Sequence, residues 1–426
     1  MAEFSAAVYQ NEFLPEGGTD VHAIVTVGCV GAGEAGRTGD GEAGEIVIVD
    51  TSGSMAYDKL TAARIAACAA LDQVLDGTWF AVIAGSHQAR LAFPWVGSGP
   101  AMVRMDADAR QAAKAAVSSF AADGGTAMGT WLRLAGGVFA SVPAVRQRHA
   151  ILLTDGQNQH ESPPELSAAI AAVQGRFQCD CRGVGVDWEV AELRRIATGL
   201  MGTVDLIPEP SEMAAEFERL MRAAMARGVA EAEIRVWTPQ GAQLLFLRQV
   251  APAVVDLTPR RQQVNPLTGG YPTGSWGDES RDYHVAVRLA SRPVGAEQLA
   301  ARVQVAVADQ VVAQALVKAM WSPDEGLTTR INPAVAHYTG QAELAEAIQE
   351  GLAAKASGDE ATATLRLGRA VQLAEQTGNA EATQRLRKVV EIDDPDAGTV
   401  RLRRDASRID EMALDTSSTK TTRVRR

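Results

Sequence analysis

The chain has 426 residues, 46% of them hydrophobic and 22% charged, with a formal net charge of −11. This is an ordinary globular balance for roughly two to four domains, and its acidic sign excludes a general nucleic-acid binder, which would carry a basic face. No apolar run approaches the ~18 residues of a membrane span, the first residues lack the basic cap and apolar core of a signal peptide, and four cysteines are too few for a disulfide framework, so the cytoplasm is the expected compartment.

Residues 4–10 and 20–27 read as strands joined through Leu14, Pro15, Gly17 and Gly18. Gly31, Gly33 and Gly36 then spell Gly-x-Gly-x-x-Gly after a strand, with Asp50 downstream, which mimics a dinucleotide fingerprint. That fingerprint requires a helix directly after the glycines. Residues 37–44, with Gly39, Gly41 and Gly44, are too glycine-rich to make one, so the stretch is a loop and no nucleotide site is expected. The run Ile46, Val47, Ile48, Val49 is β-branched throughout and reads as a strand buried on both faces. Strand and helix alternate from there. Strands are expected at 80–84, 89–93 (an antiparallel edge), 151–154, 177–186 and 203–207. Helices are expected from about 58, over 106–120, from 128, and over 163–173, 190–200 and 211–227. Such alternation predicts a doubly wound α/β sheet.

Ligands of open α/β sheets lie outside the carboxyl ends of the strands, and there this chain concentrates oxygen. The buried strand stops in Asp50-Thr51-Ser52-Gly53-Ser54, an Asp-x-Ser-x-Ser motif. The loop Asp123, Gly124, Gly125, Thr126 lies between two helices, and the strand 151–154 ends at Asp155. Asp50, Ser52, Ser54, Thr126 and Asp155 are hard oxygen donors of the kind Mg²⁺ prefers. Gly53, Gly124 and Gly125 allow close backbone approach. Helix N-caps alone would explain Asp and Ser at such places; the order of two strands and three loops favours a site.

In these residues the sequence resembles the von Willebrand factor type A (vWA) family, over about residues 44–227. The resemblance implies a metal-ion-dependent adhesion site. It makes Ser52, Ser54 and Thr126 hydroxyl ligands of the ion and has Asp50 and Asp155 hold it mainly through water. Two acids balance Mg²⁺ and leave it electrophilic enough to accept a carboxylate from another molecule. Neither His-Glu-x-x-His nor a Gly-x-x-x-x-Gly-Lys-Ser/Thr loop occurs.

Beyond Arg227 the apolar period changes to two, at Ile234/Val236, Val285/Val287/Leu289 and Val303/Val305/Val307. Pro272, Gly274 and Gly277 read as turns. The N-terminal strands would be marginal alone, so residues 1–43 and 229–325 are expected to form one β-sandwich with the α/β domain, 44–228, inserted between its strands. Residues 340–391 are helical, with Gly358-Asp359 and Gly378-Asn379 resembling tetratricopeptide turns; an ordinary bundle is the alternative. Residues 392–426 read as a C-terminal tail whose final stretch, from about Leu414, is expected to be mobile and whose Thr416, Thr419, Thr421 and Thr422 offer phosphate-acceptor hydroxyls beside basic residues. Among other candidates, His160 reads as a surface residue near the site, Trp131 and Trp188 as packing aromatics, Asp187 as a helix N-cap, and Cys179 and Cys181 as buried thiols.

The expected function is therefore an Mg²⁺-dependent adaptor or scaffold, not an enzyme, with Mn²⁺ or Ca²⁺ as alternative ions. Its partner is a protein that supplies a carboxylate to the metal. The family resemblance implies Ser/Thr kinases, phosphatases or phosphothreonine-binding proteins of bacterial signalling or stress-response complexes as company, with no nucleic acid and no membrane. The competing readings are a metal-dependent hydrolase built on Ser54 and His160, and a regulatory subunit of an ATPase complex.

Overall fold

The computed structural model describes residues 2–37, 42–95 and 101–424. It forms two compact units, one built from Gly31–Glu231 with Gly274–Gly277, the other from Glu3–Val30, Ala232–Thr273 and Asp278–Arg426. The Gly-x-Gly-x-x-Gly stretch carries no helix over residues 31–37, and residues 38–41 lie outside the described ones.

The first unit holds a sheet in the spatial order Val204–Ile207, Gln178–Val184, Val145–Thr154, Glu42–Asp50, Trp79–Gly85 and Arg90–Phe93, with Val103–Arg104 also against Trp79–Gly85. The first five strands run parallel, and Arg90–Phe93 is the antiparallel edge. The central strands are apolar on both faces because helices cover both. Val47, Val49, Val82, Ile151 and Leu153 point into a core shared with helices Asp58–Gln73, Ala107–Ser118 and Met213–Met225. Helix Met128–Ala140 packs on the other face. The first strand begins at Glu42, opposite Val145, ahead of the expected start at residue 44. From Glu42–Asp50 the chain moves first to Trp79–Gly85 on one side and later to Val145–Thr154 on the other. The carboxyl edge between these strands is thus the switch point where open α/β sheets bind ligands.

One polar cluster breaks this interior. His149 lies between two acids, its Nδ1 2.7 Å from Glu45 Oε2 and its Nε2 2.9 Å from Asp180 Oδ2. Asp180 also accepts Thr203 N–H at 2.7 Å and Thr203 Oγ1–H at 2.6 Å. Cys179 and Cys181 are buried free thiols beside it.

In the second unit, Glu3–Gln10, Asp20–Val30, Glu279–Arg288, Gln243–Ala251 and Val255–Asp256 form one sheet, and Gln262–Asn265, Thr268–Trp276, Val229–Trp237, Glu297–Val307, Gln310–Trp321 and Phe13–Leu14 another. Strand Asp20–Val30 pairs at Val25 with Val8 on one side and Tyr283 on the other, so segments remote in sequence share a sheet. Pro272 and Gly274 are not turns: both lie inside strand Thr268–Trp276. Small residues are needed there, since a Cβ on Gly270 would stand 2.6 Å from Glu233 Oε2. Strand Gln243–Ala251 escaped the period-two pattern because irregularities in its register interrupt the alternation.

Helices Pro333–Ala356, Glu360–Gln376 and Ala380–Val389 follow. Gly358 and Gly378 take φ of 82° and 64° at the two turns, and Asp359 and Asn379 then cap the next helices through their side chains. The tail is not mobile over its described residues. Val390–Asp394 and Thr399–Leu402 form a hairpin, and helix Arg408–Ser417, capped by Ser407, drives Leu414 into a core with Leu344, Leu367, Val371 and Leu386. All four tail threonines are engaged. Thr416 is buried and donates to Met412 O at 2.9 Å, and Thr419 O accepts from Val254 N at 2.8 Å. Thr421 Oγ1 donates to Val250 O at 2.7 Å, and Thr422 Oγ1 accepts from Gln341 at 3.2 Å. Met412 and Leu414, with the Ser407 cap, anchor helix Arg408–Ser417 and bury Thr416, whereas Thr422 is exposed. No described helix is long and apolar enough to cross a membrane.

Candidate metal centre

Strand Glu42–Asp50 delivers Asp50 to the carboxyl edge fully buried. Its Oδ1 accepts Ser52 N–H at 2.7 Å, and Oδ2 accepts a short hydrogen bond from Thr154 Oγ1. The backbone then turns through Gly53–Met55, with Met55 buried as its anchor. Ser52 and Ser54 hydroxyls stand 3.0 Å apart, and Ser54 donates to Asp155 Oδ1 at 2.7 Å. A hydroxyl has one proton, so Ser52 is the donor to Ser54. The Asp123–Thr126 loop is tied to the motif by Gly53 N–H to Gly124 O at 2.8 Å and Asp123 N–H to Thr51 O at 2.8 Å. Gly124 takes φ of 74° to make that turn. A Cβ on Gly156 would lie 3.2 Å from Ser54 Oγ and 3.3 Å from Thr126 Oγ1, which puts both hydroxyls around one small cradle.

All five oxygen-bearing side chains singled out in the sequence thus gather at one edge. Ser52, Ser54, Thr126, Gly124, Gly125 and Gly156 line an open cleft of about 510 Å³. Among the described residues no three His, Cys, Asp or Glu side chains converge on a metal position. The donor set here is two acids and three hydroxyls, a hard-oxygen set that fits Mg²⁺ chemistry. Burial pushes the Asp50 carboxyl up to about 6, against the hydrogen bonds from Ser52 and Thr154, and the nearby Asp155 charge pushes the same way. A cation beside it would relieve that cost.

Four further residues face this edge. Lys59, in the first turn of helix Asp58–Gln73, puts Nζ 2.5 Å from Asp155 Oδ2 and 3.4 Å from Asp187 Oδ2. Burial opposes its charge, but the hydrogen bond and charge of Asp155, with those of Asp187, win and raise its pKa. Asp187 is therefore no N-cap; Glu189 occupies the cap position of helix Val190–Gly199. His87 and His160 also line the cleft, their rings 6.3 Å apart and packed over Gly124 and Gly125, where Cβ atoms would stand 2.1 Å and 1.8 Å away. Sequence reasoning missed Lys59 and His87: Lys59 is an ordinary first-turn helix residue, and His87, two residues past the strand end at Gly85, carries a signal weaker than a motif.

Trp131 and Trp188 are fully buried packing residues that hold these loops. Each indole lies against a strand-end glycine, Gly85 or Gly183, where a Cβ would come within 2.5 Å or 2.0 Å of the ring. Their Nε1–H groups donate to Ser86 O at 2.6 Å and Gly185 O at 3.0 Å. Asn158 and Glu161 accept the first N–H groups of helix Met128–Ala140, from Met128 and Gly129, both at 2.7 Å.

A doubly wound sheet with an oxygen-rich cluster at its switch point defines a vWA-type domain. Residues 44–206 match the von Willebrand factor type A domain, and residues 372–418 match the von Willebrand factor type A C-terminal domain. A von Willebrand factor type A protein from Catenulispora acidiphila is 44% identical, with 99% of this chain and 97% of that one covered at a TM-score of 0.93. The chain belongs to the von Willebrand factor type A family. The ArnB paralog VWA2 from Sulfolobus acidocaldarius shares the fold at 15% identity and a TM-score of 0.58, over 98% of each chain. An uncharacterized Synechocystis protein is 28% identical over 222 residues, 51% of this chain; the chain spans 50% of that relative's length. Proteins of this family mediate protein–protein interactions.

Proposed function

We propose that this chain is a non-enzymatic, Mg²⁺-dependent adaptor that captures an acidic side chain of a protein partner. The gathering of Asp50, Ser52, Ser54, Thr126 and Asp155 at one sheet edge, with the three hydroxyl residues lining an open cleft, is the observation that carries this reading. Ser52, Ser54 and Thr126 would hold the ion through their hydroxyls, and Asp50 and Asp155 through water. The ion supplies a Lewis-acidic position for a carboxylate; Mn²⁺ or Ca²⁺ would serve with the same hard donors. The chain's own residues do the rest. Asp50 orients Ser52 through its backbone N–H, and Ser54 and Lys59 fix Asp155. Tyr57, 91% exposed beside the motif, offers an amphipathic contact to a partner. Signalling or stress-response partners, such as a Ser/Thr kinase, a phosphatase or a phosphothreonine-binding protein, and a cytoplasmic setting complete the proposal.

The test is Mg²⁺ titration by calorimetry together with partner capture from native lysate in Mg²⁺ or EDTA. Wild type binds the ion and its partner; Ser52→Ala combined with Ser54→Ala keeps its melting temperature and loses both. Equal partner capture by the double variant overturns the proposal, and metal-dependent turnover of a phosphoester would replace it with the hydrolase.

A further inference from the structure

The acids at the sheet edge already have a cation of the chain's own. Lys59 Nζ stands 2.5 Å from Asp155 Oδ2, and its side chain is 28% exposed while that of Asp155 is fully buried. Ser54 takes the other oxygen, Asp155 Oδ1, at 2.7 Å. Both carboxylate oxygens are therefore engaged, one by a neutral hydroxyl and one by a full positive charge. Asp187, at 3.4 Å from Lys59 and 68% exposed, stands in water, where its charge is largely screened.

That geometry changes the charge balance. Asp50 and Asp155 contribute two negative charges and Lys59 one positive, so a divalent ion would leave the site with a net charge of about one positive unit. We infer that Lys59 is a positioning residue that trades metal affinity for anion affinity: it repels the divalent ion through space and, once the ion is seated, makes an anionic ligand the favoured occupant of its open position. Lysine suits this task better than arginine would. Its charge is compact and sits on a flexible stem, so it satisfies Asp155 without spanning the hydroxyls that would hold the ion. The same ammonium holds the buried carboxylate in place in the ion's absence, which keeps the cluster assembled. This inference rests on the divalent-metal reading of the site.

The experiment uses the full chain, Mn²⁺ as the metal probe and acetate as the anion probe. Mn²⁺ affinity is read from the free-ion EPR signal, and acetate binding from the loss of water-proton relaxation as it displaces water from bound Mn²⁺. Lys59→Met keeps the stem and removes the charge; Lys59→Gln is a second neutral variant, and Lys59→Arg keeps the charge. Both neutral variants should bind Mn²⁺ about tenfold more tightly, the size expected of one unit charge a few ångströms away in a wet site. They should also need several-fold more acetate for half-displacement, while Lys59→Arg, which keeps the charge, stays closer to wild type than either neutral variant. Unchanged or weaker Mn²⁺ binding in the neutral variants, or an unchanged acetate curve, overturns the inference. Wild-type protein that binds no Mn²⁺ overturns the metal reading and this inference with it. Wild type that binds, with variants identical to it, overturns the inference alone.

Discussion

Two acid clusters share the strands Glu42–Asp50 and Val145–Thr154, and they are finished in opposite ways. The inner one, Glu45, His149 and Asp180, is sealed, with side-chain exposures of 0%, 2% and 5%. Its cation is an imidazole bonded to an acid on each side. Burial works against charging His149, yet the Glu45 charge and the Asp180 hydrogen bond prevail and raise it to about 9. Burial likewise opposes the Asp180 charge, and the hydrogen bond and charge of His149 hold its carboxyl well below the usual range. The outer cluster, Asp50 and Asp155, is ringed by hydroxyls and opens on a cleft. There the lysine, Lys59, pairs with Asp155 of the two buried acids, and Asp50 is pushed up to about 6, chiefly by burial. Where each buried acid is bonded to the cation and the group is sealed from water, the acids are architecture. Where one acid, Asp50, has only neutral donors and the cluster opens on a cleft, it is poised for a ligand.

The largest expected effect breaks the inner cluster. His149→Leu strands two buried acids without their cation and should cost about 3–5 kcal/mol in urea denaturation. A cost under about 1 kcal/mol would mean the cluster is not the sealed ion group described here. A pH series sharpens the same point. The folded pKa of His149, about 9, lies above its ordinary 6.5, so its stabilisation is fully present below pH 6.5 and is lost as pH rises through 9. Relative to His149→Leu, the wild type should lose on the order of 3 kcal/mol across that interval. A flat difference curve would contradict the charged imidazole.

The outer cluster should respond to metal instead. At a Mg²⁺ concentration about 100 times its dissociation constant, wild type should gain about 2.7 kcal/mol, read as a raised melting temperature, and Asp50→Asn should gain none. Without metal the sign reverses. A carboxyl raised to about 6 costs stability once it ionises, so Asp50→Asn should be the more stable protein at pH 8. A less stable Asp50→Asn in EDTA would show that Asp50 is structural, as His149 is. Least affected should be Gly125→Ala: its Cβ meets the exposed His160 ring at 1.8 Å, which can swing away, so stability should change by less than about 0.5 kcal/mol. A larger loss would make His160 part of the packed site.

Much of this was legible before any coordinates. The β-branched run at Ile46–Val49 had to be a central strand because nothing polar interrupts it, and the Asp-x-Ser-x-Ser motif follows it directly. Helix Pro163–Val173 announces itself by Ser162, two prolines and Glu165, a capping box whose two reciprocal bonds form as the spacing demands. Strand Thr268–Trp276 was illegible because its glycines and proline signal turns locally, whereas close neighbours, such as Glu233 against Gly270, require small residues there. The tail misled for a similar reason: composition reports that Thr416–Thr422 is polar, but not that Thr416, Thr421 and Thr422 hydroxyls meet partners on other segments or turns.

Local chemistry alone determined the alternation of strands and helices and the positions along the chain of Asp50, Ser52, Ser54, Thr126 and Asp155, since strand ends and oxygen donors are properties of short segments. Tertiary structure decided which charges meet. Glu45, His149 and Asp180 carry no motif and become one ion group only because three adjacent strands set Glu45 opposite His149 and Asp180 two positions past the partner of His149. Lys59 reads as an ordinary first-turn helix residue until the fold sets it 2.5 Å from an acid 96 positions away. Electrostatic energy depends on distance and on exclusion of water, and neither quantity exists until the chain has folded.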